Sequence, residues 1–421
     1  MRKSALVLAI TSLLFGLPVQ ATATPAVGAS CKQAGAIQSS KGTKLTCLKK
    51  GNRLVWGVVA PKKKSPQVSP NGATSENGSE ASANLYTVQM RKAHLPKAPA
   101  NGTDDYRCFL LDPKVKEDSL IRSIEFIPQR KNYVHHAIIF RVSEANLTEA
   151  MTLDKSGTGW TCFGGTGLGG MLSSFVTSPW ISAWAPGRGK DLSPEGYGIP
   201  FNKGERLVLQ VHYNLLAAED GKIETDQSKV VIETVPAATS KLKPLSIELF
   251  AAPVELACPA GVTGLLCDRN ESLKDLAKRT DKSIAREALG INVICGKNPF
   301  QITPSTFTSC DRTITSEFTV VLAAPHMHLL GRELRILLNP GTASEKILLD
   351  VQNYDFDNQS PVALEKPVPV SKGDVIRIEC THDPGLRQVL PALKKLPPRY
   401  VTWGEGSSDE MCLGVLSVSR K

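Results

Sequence analysis

The sequence predicts an all-β protein made of two tandem antiparallel β-sandwiches. Short runs rich in β-branched and aromatic residues recur from about Leu85 to the end, joined by Gly- and Pro-rich connections. Regular helices do not alternate with these runs, which argues against a parallel, doubly wound sheet. At 421 residues, with 41% hydrophobic and 21% charged residues, the chain is an ordinary folded protein too long for one small domain.

The first set of strands is Ile121–Ile127, Val134–Val142, Arg206–Tyr213 and Val230–Thr234, within a sandwich spanning 85–240. The second set is Ile247–Phe250, Phe318–Leu322, Leu334–Leu338, Val375–Cys380 and Leu413–Val418, within 241–421. Pro236–Pro244 is the expected seam. One helix is predicted over Ser272–Leu289, capped by Asn270 or Ser272 and stopped at Gly290. It lies between Cys258/Cys267 and Cys295/Cys310, so residues from about 256 to 312 read as a disulfide-tied insertion. The pairing of these four cysteines is open among three connectivities.

Ahead of the sandwiches, Arg2 and Lys3 precede the apolar run Ala5–Leu17, and Ala21-Thr22-Ala23 offers a cleavage site. Residues 1–23 are therefore expected to be a signal peptide, and the protein to be secreted, extracellular or in the cell envelope. Export also accounts for the ten cysteines. Residues 28–60 form a small module that a Cys31–Cys47 disulfide would pin. It resembles the small Cys–Cys–Trp-Gly modules of actinobacterial secreted proteins. Residues 61–84, with Lys62-Lys63-Lys64 followed by Ser, Asn, Gly and Pro, are a flexible linker.

The net charge of +10 is unevenly spread: residues 1–98 hold 14 Lys and Arg against 2 Asp and Glu, leaving −2 for the remainder. The folded body lacks a basic stripe interleaved with aromatics, so a nucleic-acid partner is not expected. Weak attraction of the basic N-terminal tail to an anionic cell envelope is the only partner the charge suggests.

The chemistry lies in the seven histidines. His326 and His328 follow the strand-like run Glu317–Leu322; if the strand continues they share a face while Met327 points away. His135 and His136 head another strand, where neighbours face opposite ways, so joint metal binding requires a kink or bulge. His212 shares a face with Gln210, Val208 and Arg206, while Leu207, Leu209 and Val211 line the other. Each piece alone reads as well as a surface or core histidine, and Met411 alone as core filling.

Taken together, His135-His136, Leu209-Gln210-Val211-His212-Tyr213, His326-x-His328-Leu-Leu-Gly331 and Ser408-Asp409-Glu410-Met411-Cys412 occur in order and spacing that resemble the copper type II, ascorbate-dependent monooxygenases. These include the peptidylglycine α-hydroxylating and dopamine β-monooxygenases. Asp104-Asp105-Tyr106-Arg107-Cys108, Trp184-Ala185-Pro186-Gly187 and Pro194-Glu195-Gly196-Tyr197-Gly198 match further pieces, and the resemblance covers roughly residues 86–418.

The resemblance implies a bacterial secreted member with two jelly-roll-like sandwiches and two copper ions facing across the cleft between them. His135, His136 and His212 would hold an electron-transfer copper; His326, His328 and Met411 would hold the copper that meets O2. Imidazole suits both copper oxidation states and a thioether favours Cu(I). The implied reaction inserts one oxygen atom into a C–H bond of a small organic substrate, with electrons from ascorbate or another reductant. Cys108–Cys162 and Cys380–Cys412 match two disulfides of the family.

Departures from the family bear on the substrate. Peptide-amidating members carry an Arg two positions before the H-x-H and Asn and Tyr after the Met-Cys; here Ala324, Leu413 and Val415 stand there. Amidation of glycine-extended peptides is therefore not expected, and a neutral or hydrophobic small molecule is. An extra Cys pair near the first site is missing, with Arg141 and Val142 after Phe140. The alternative is a non-catalytic secreted copper-binding or electron-transfer protein. A blue-copper site needs a thiolate, which a disulfide-bonded Cys412 would not supply. A zinc hydrolase is disfavoured because zinc rarely takes a thioether. Gly165-x-Gly167-x-x-Gly170 lacks the strand–helix context of a dinucleotide site. Asp409-Glu410, beside Gly and Ser, reads as a solvated turn, and His94 and His382 receive no role.

Overall fold

A computed structural model describes residues 30–31, 37–40, 43–50, 53–57, 83–99, 102–163, 165–169, 179–186, 188–215, 222–280, 282–356 and 358–420. The chain divides into two compact units, Met1–Gly78 and Ser79–Lys421. The expected signal segment and nearly all of the expected linker lie outside the described residues.

In the first unit, Ile37–Ser40, Thr43–Lys50 and Arg53–Gly57 form a three-stranded antiparallel sheet. So short a piece buries little apolar area, and its core is Cys47 and Trp56 beside the Cys31–Cys47 disulfide.

The second unit is all-β, with two sandwiches. In the first, a sheet runs Trp160–Thr161, Asp104–Leu111, Arg206–Asn214, Val134–Val142, Trp180–Trp184. It faces a sheet ordered Lys243–Pro244, Tyr197–Phe201, Ser119–Ile127, Lys229–Pro236, Asn84–Gln89. Period-2 alternation puts Leu207, Leu209 and Val211 between the sheets, with Phe109, Ile121, Ile139 and Ile232. Val208 packs on the opposite face, the one that also carries His212. Full burial of each such Leu, Ile or Val contributes about 1.5–3 kcal/mol, which fixes the register and hence the face on which the histidine emerges.

The second sandwich pairs the sheet Ser246–Ala251, Leu413–Ser419, Phe318–His326, Val362–Val370 with the sheet Phe307–Thr313, Val375–His382, Gly331–Leu338, Lys346–Val351. Phe250, Val320, Leu334, Ile336, Ile378 and Leu416 fill the space between. The seam Pro236–Pro244 is partly absorbed into the first sandwich, because Lys243–Pro244 pairs in parallel with Tyr197–Gly198.

The insertion departs from the single predicted helix. It holds two helices, Arg269–Arg279 and Lys282–Ile294, and the first is capped by the Asp268 carboxylate accepting from the Glu271 N–H. The break falls at Thr280, whose hydroxyl donates to the Leu276 carbonyl and whose φ and ψ of −121° and −102° leave the helical region. Gly290 does not stop the second helix, because Ile291 beyond it is buried in the sandwich core. The four open cysteines pair as Cys258–Cys267 and Cys295–Cys310, beside Cys108–Cys162 and Cys380–Cys412. No helix among the described residues is long and apolar enough to cross a membrane.

Candidate metal centre

The register between Arg206–Asn214 and Val134–Val142 steps from His212↔His136 to Tyr213↔Val134. His135 is thus the extra residue of a β-bulge, the distortion that lets adjacent histidines serve one site. The Nδ1 atoms converge: His135 and His212 place theirs 3.2 and 3.0 Å from that of His136. Two ligands each about 2.0 Å from one ion stand about 2.8–3.5 Å apart at angles of 90–120°, so the spacing suits a single metal. Candidate donor atoms of these three residues all lie within 4.8 Å of one another.

Asp104 prepares the third ligand. Its Oδ1 accepts from His212 Nε2–H at 2.7 Å, which leaves the Nδ1 lone pair facing the other two rings. Burial alone would raise the Asp104 carboxyl, but the hydrogen bond and charge of His212 outweigh it and hold it at about 2. Tyr106 stacks on His212, with ring centroids 4.1 Å apart at 12°.

The second group is built differently. The strand ends at His326 instead of continuing, and His328 follows in the turn, with ring centroids 5.4 Å apart. Met327 points into the sandwich core. Gly331 permits this: a Cβ there would lie 2.8 Å from the Met327 side chain. His326 Nδ1 lies 2.6 Å from Gln359 Oε1, and His328 Nδ1 lies 3.3 Å from the Asp409 carbonyl oxygen. Both Nδ1 positions face acceptors and therefore carry the proton, so Nε2 is the free donor on each ring.

Glu410 draws Met411 to this pair. Its Oε1 accepts from the His328 N–H and, at 2.8 Å, from the Met411 N–H, and its Oε2 accepts from the Leu330 N–H at 2.8 Å. One carboxylate thereby joins the histidine turn to the methionine segment. The expectation of a solvated Asp409-Glu410 turn is corrected: both acids are buried, and Asp409 pairs with Arg279 at 2.7 Å. The reason is long-range, since Arg279 comes from the insertion. Cys380–Cys412 anchors the same segment from the facing sheet.

The two groups meet. His136 and His326 have ring centroids 6.2 Å apart, and Phe356 of the second sandwich stacks on His135 at 4.6 Å and 19°. Asp104 Oδ1 also accepts from Ser407 Oγ at 3.2 Å, and the Tyr106 hydroxyl donates to the Glu405 carbonyl. Burial depresses the imidazoles: His135 falls to about 3, with repulsion from His212 adding to it, and His326 to about 4, partly countered by Gln359. His136 and His328 are pushed well down for the same first reason. The four rings are neutral at pH 7, the form that binds a metal.

The structure thus brings His135, His136 and His212 together, and holds His326 and His328 beside the Met411 backbone. His94 and His382, given no role, bond to Asp105 at 2.8 Å and to the Met411 carbonyl at 3.2 Å. Sequence reasoning missed Phe356 and Gln359, which stand in no matched motif. It quoted Asp104 and Glu410 within matched segments without assigning their tasks.

Residues 292–417 match the copper type II ascorbate-dependent monooxygenase, C-terminal domain. That match supports copper monooxygenase chemistry for the part of the chain carrying His326, His328 and Met411. Among solved structures, an allantoicase is similar at 9% identity, with 75% of this chain and 78% of that chain covered and a TM-score of 0.18. A subviral particle of infectious bursal disease virus VP2 gives 9% identity, 85% and 76% coverage and a TM-score of 0.17. A fucolectin from striped bass serum gives 8%, 76% and 84%, and 0.14. Scores this low bear on neither fold nor function.

Proposed function

We propose that the protein is an exported dicopper monooxygenase that hydroxylates a C–H bond of a small organic substrate, using O2 and electrons from ascorbate or a similar reductant. The observation that carries the reading is the approach of the converged His135, His136 and His212 to His326 and His328, with the His136 and His326 ring centroids 6.2 Å apart. Bound copper would supply electron transfer at the three-imidazole set and O2 chemistry at the imidazole–thioether set.

The chain's own residues prepare both sets. Asp104 selects the His212 tautomer, and Gln359 and the Asp409 carbonyl select those of His326 and His328. Glu410 holds the His328 turn and the Met411 segment in one register through three backbone N–H groups. Phe356 of the second sandwich stacks on His135 where the two sets approach each other.

The test is copper stoichiometry of the purified protein beside Met411→Ala and His212→Ala, followed by ascorbate-driven O2 consumption. Two coppers, with each substitution weakening a different one, support the reading. One copper, or two that are indifferent to Met411, would sink it. Tight binding of two coppers with no substrate-dependent O2 uptake would favour a copper-carrying protein instead.

A further inference from the structure

We propose that the cavity beside the two donor sets accepts a neutral, predominantly apolar substrate; this rests on the copper reading above and names its substrate class. The cavity lies between the edge strand Trp180–Trp184 of the first sandwich and the sheet of the second that carries His326. Its volume is about 150 Å³. His135, His136, His326 and Gln359 line one part of it. Ile124, Ile138, Trp180 and Trp184 come from the first sandwich, and Ile247, Leu322 and Val415 from the second.

The charged residues of this lining are already paired, and the indole Nε1–H of Trp180 is a buried donor without a partner. Apart from histidines, Arg188 and Asp191 are its ionisable groups among the described residues, and they pair with each other. Asp191 also accepts from Ser182 Oγ at 2.6 Å, and Arg188 donates to the Ala183 carbonyl at 2.5 Å. Ser123 donates to Glu233 and Ser193 to the Ile121 carbonyl, both at 3.0 Å. A charged ligand would lose its hydration here and meet no unpaired opposite charge, whereas an apolar one gains by leaving water. The Trp180 Nε1–H and the histidine end offer the polar contacts that orient it.

Ala324 sets this preference most directly. It stands two residues before His326 on the same strand face and lines the cavity beside it. In the reaction, one substrate C–H bond breaks and a C–O bond forms. O2 takes two electrons from that bond and two from a one-electron donor of the ascorbate class, and with two protons the second oxygen leaves as water.

The test uses one skeleton in three charge states: 4-phenylbutanamide, 4-phenylbutanoate and 4-phenylbutylamine. Each is titrated into the full chain, metal-free and copper-loaded, and followed by the fluorescence of the cavity tryptophans. In the metal-free protein, where no ion can capture the carboxylate, the amide should bind at least about 10-fold tighter than either charged form. Ala324→Arg should bring the carboxylate level with the amide, and Ala324→Asp should do the same for the amine. Equal or tighter wild-type binding of either ion, or no amide binding, overturns the proposal. So does an unchanged ranking in both variants while their melting curves show folded protein. Amide preference in a chain that takes up no copper would support the cavity's chemistry and defeat the monooxygenase reading separately.

Discussion

Phe356 lies flat on His135, 4.6 Å between centroids, although the two residues belong to different sandwiches. The stack fixes how near the two donor sets stand, because the same loop reaches His326 through Gln359. Phe356→Ala removes an offset-stacked contact of about 0.5–1.5 kcal/mol plus partial burial. We expect the protein to stay folded and the separation of two bound cupric ions, read by pulsed electron paramagnetic resonance, to lengthen or broaden. An unchanged, narrow distance distribution would show that the stack does not set the spacing.

Asp104→Asn keeps an oxygen for His212 Nε2–H but loses the charge that supports the tautomer. Loss of such a partner typically costs about 10–100-fold in metal affinity. Chelator competition should show that loss at the three-histidine site alone, with the site that includes Met411 retaining its affinity. Equal weakening of both sites would mean that Asp104 acts through the sandwich interface, where Ser407 also bonds to it.

Glu410→Ala leaves three buried backbone N–H groups without their acceptor. At about 1–3 kcal/mol for each unsatisfied group before water enters, we expect a loss of roughly 2–4 kcal/mol in urea unfolding. Copper–sulfur scattering in the X-ray absorption spectrum should also diminish, because the Met411 segment is no longer tied to the histidine turn. Full retention of that scattering would remove Glu410 from the site.

Glu287 provides a pH signature away from the donor sets. Burial pushes its carboxyl up to about 7, and Glu405, also pushed up by burial and by Glu287, faces it. Between the ordinary carboxyl value of about 4.5 and 7 the folded state binds more protons than the unfolded one. The contribution of this group to stability therefore falls as pH rises through that window, opposite in sign to that of the depressed histidines. The stability of wild type relative to Glu287→Gln should accordingly fall from pH 5 to 7.5. A difference between the wild-type and Glu287→Gln denaturation midpoints that stays constant between pH 5 and 7.5 would refute this ionisation.

Much of the fold was legible because alternation along strands such as Arg206–Asn214 is local, and the burial of Leu207, Leu209 and Val211 follows directly from it. The histidines that converge were legible because histidine is scarce and these fall in strand-like runs, whereas Met411 entered only through the resemblance. The bulge at His135 was legible only as a condition. The tethers were not legible at all: Tyr106 and Glu405 are 299 positions apart and Asp104 and Ser407 are 303 apart. No local period reports such a meeting. The helix break at Thr280 escaped for a smaller reason, since a threonine inside a helical pattern becomes a stop only when its hydroxyl takes a backbone carbonyl.

The Cys380–Cys412 bridge implies an order of assembly. Until it closes, Cys412 would present a thiolate next to the thioether of Met411, and thiolates are strong soft ligands for cuprous ion. Copper arriving early would be captured by the wrong sulfur, and the trapped thiolate could then no longer pair with Cys380. On the proposed copper reading, maturation would be sequential, with oxidation first and metal second. A chain loaded in reducing buffer should be a dead end that later oxidation does not rescue.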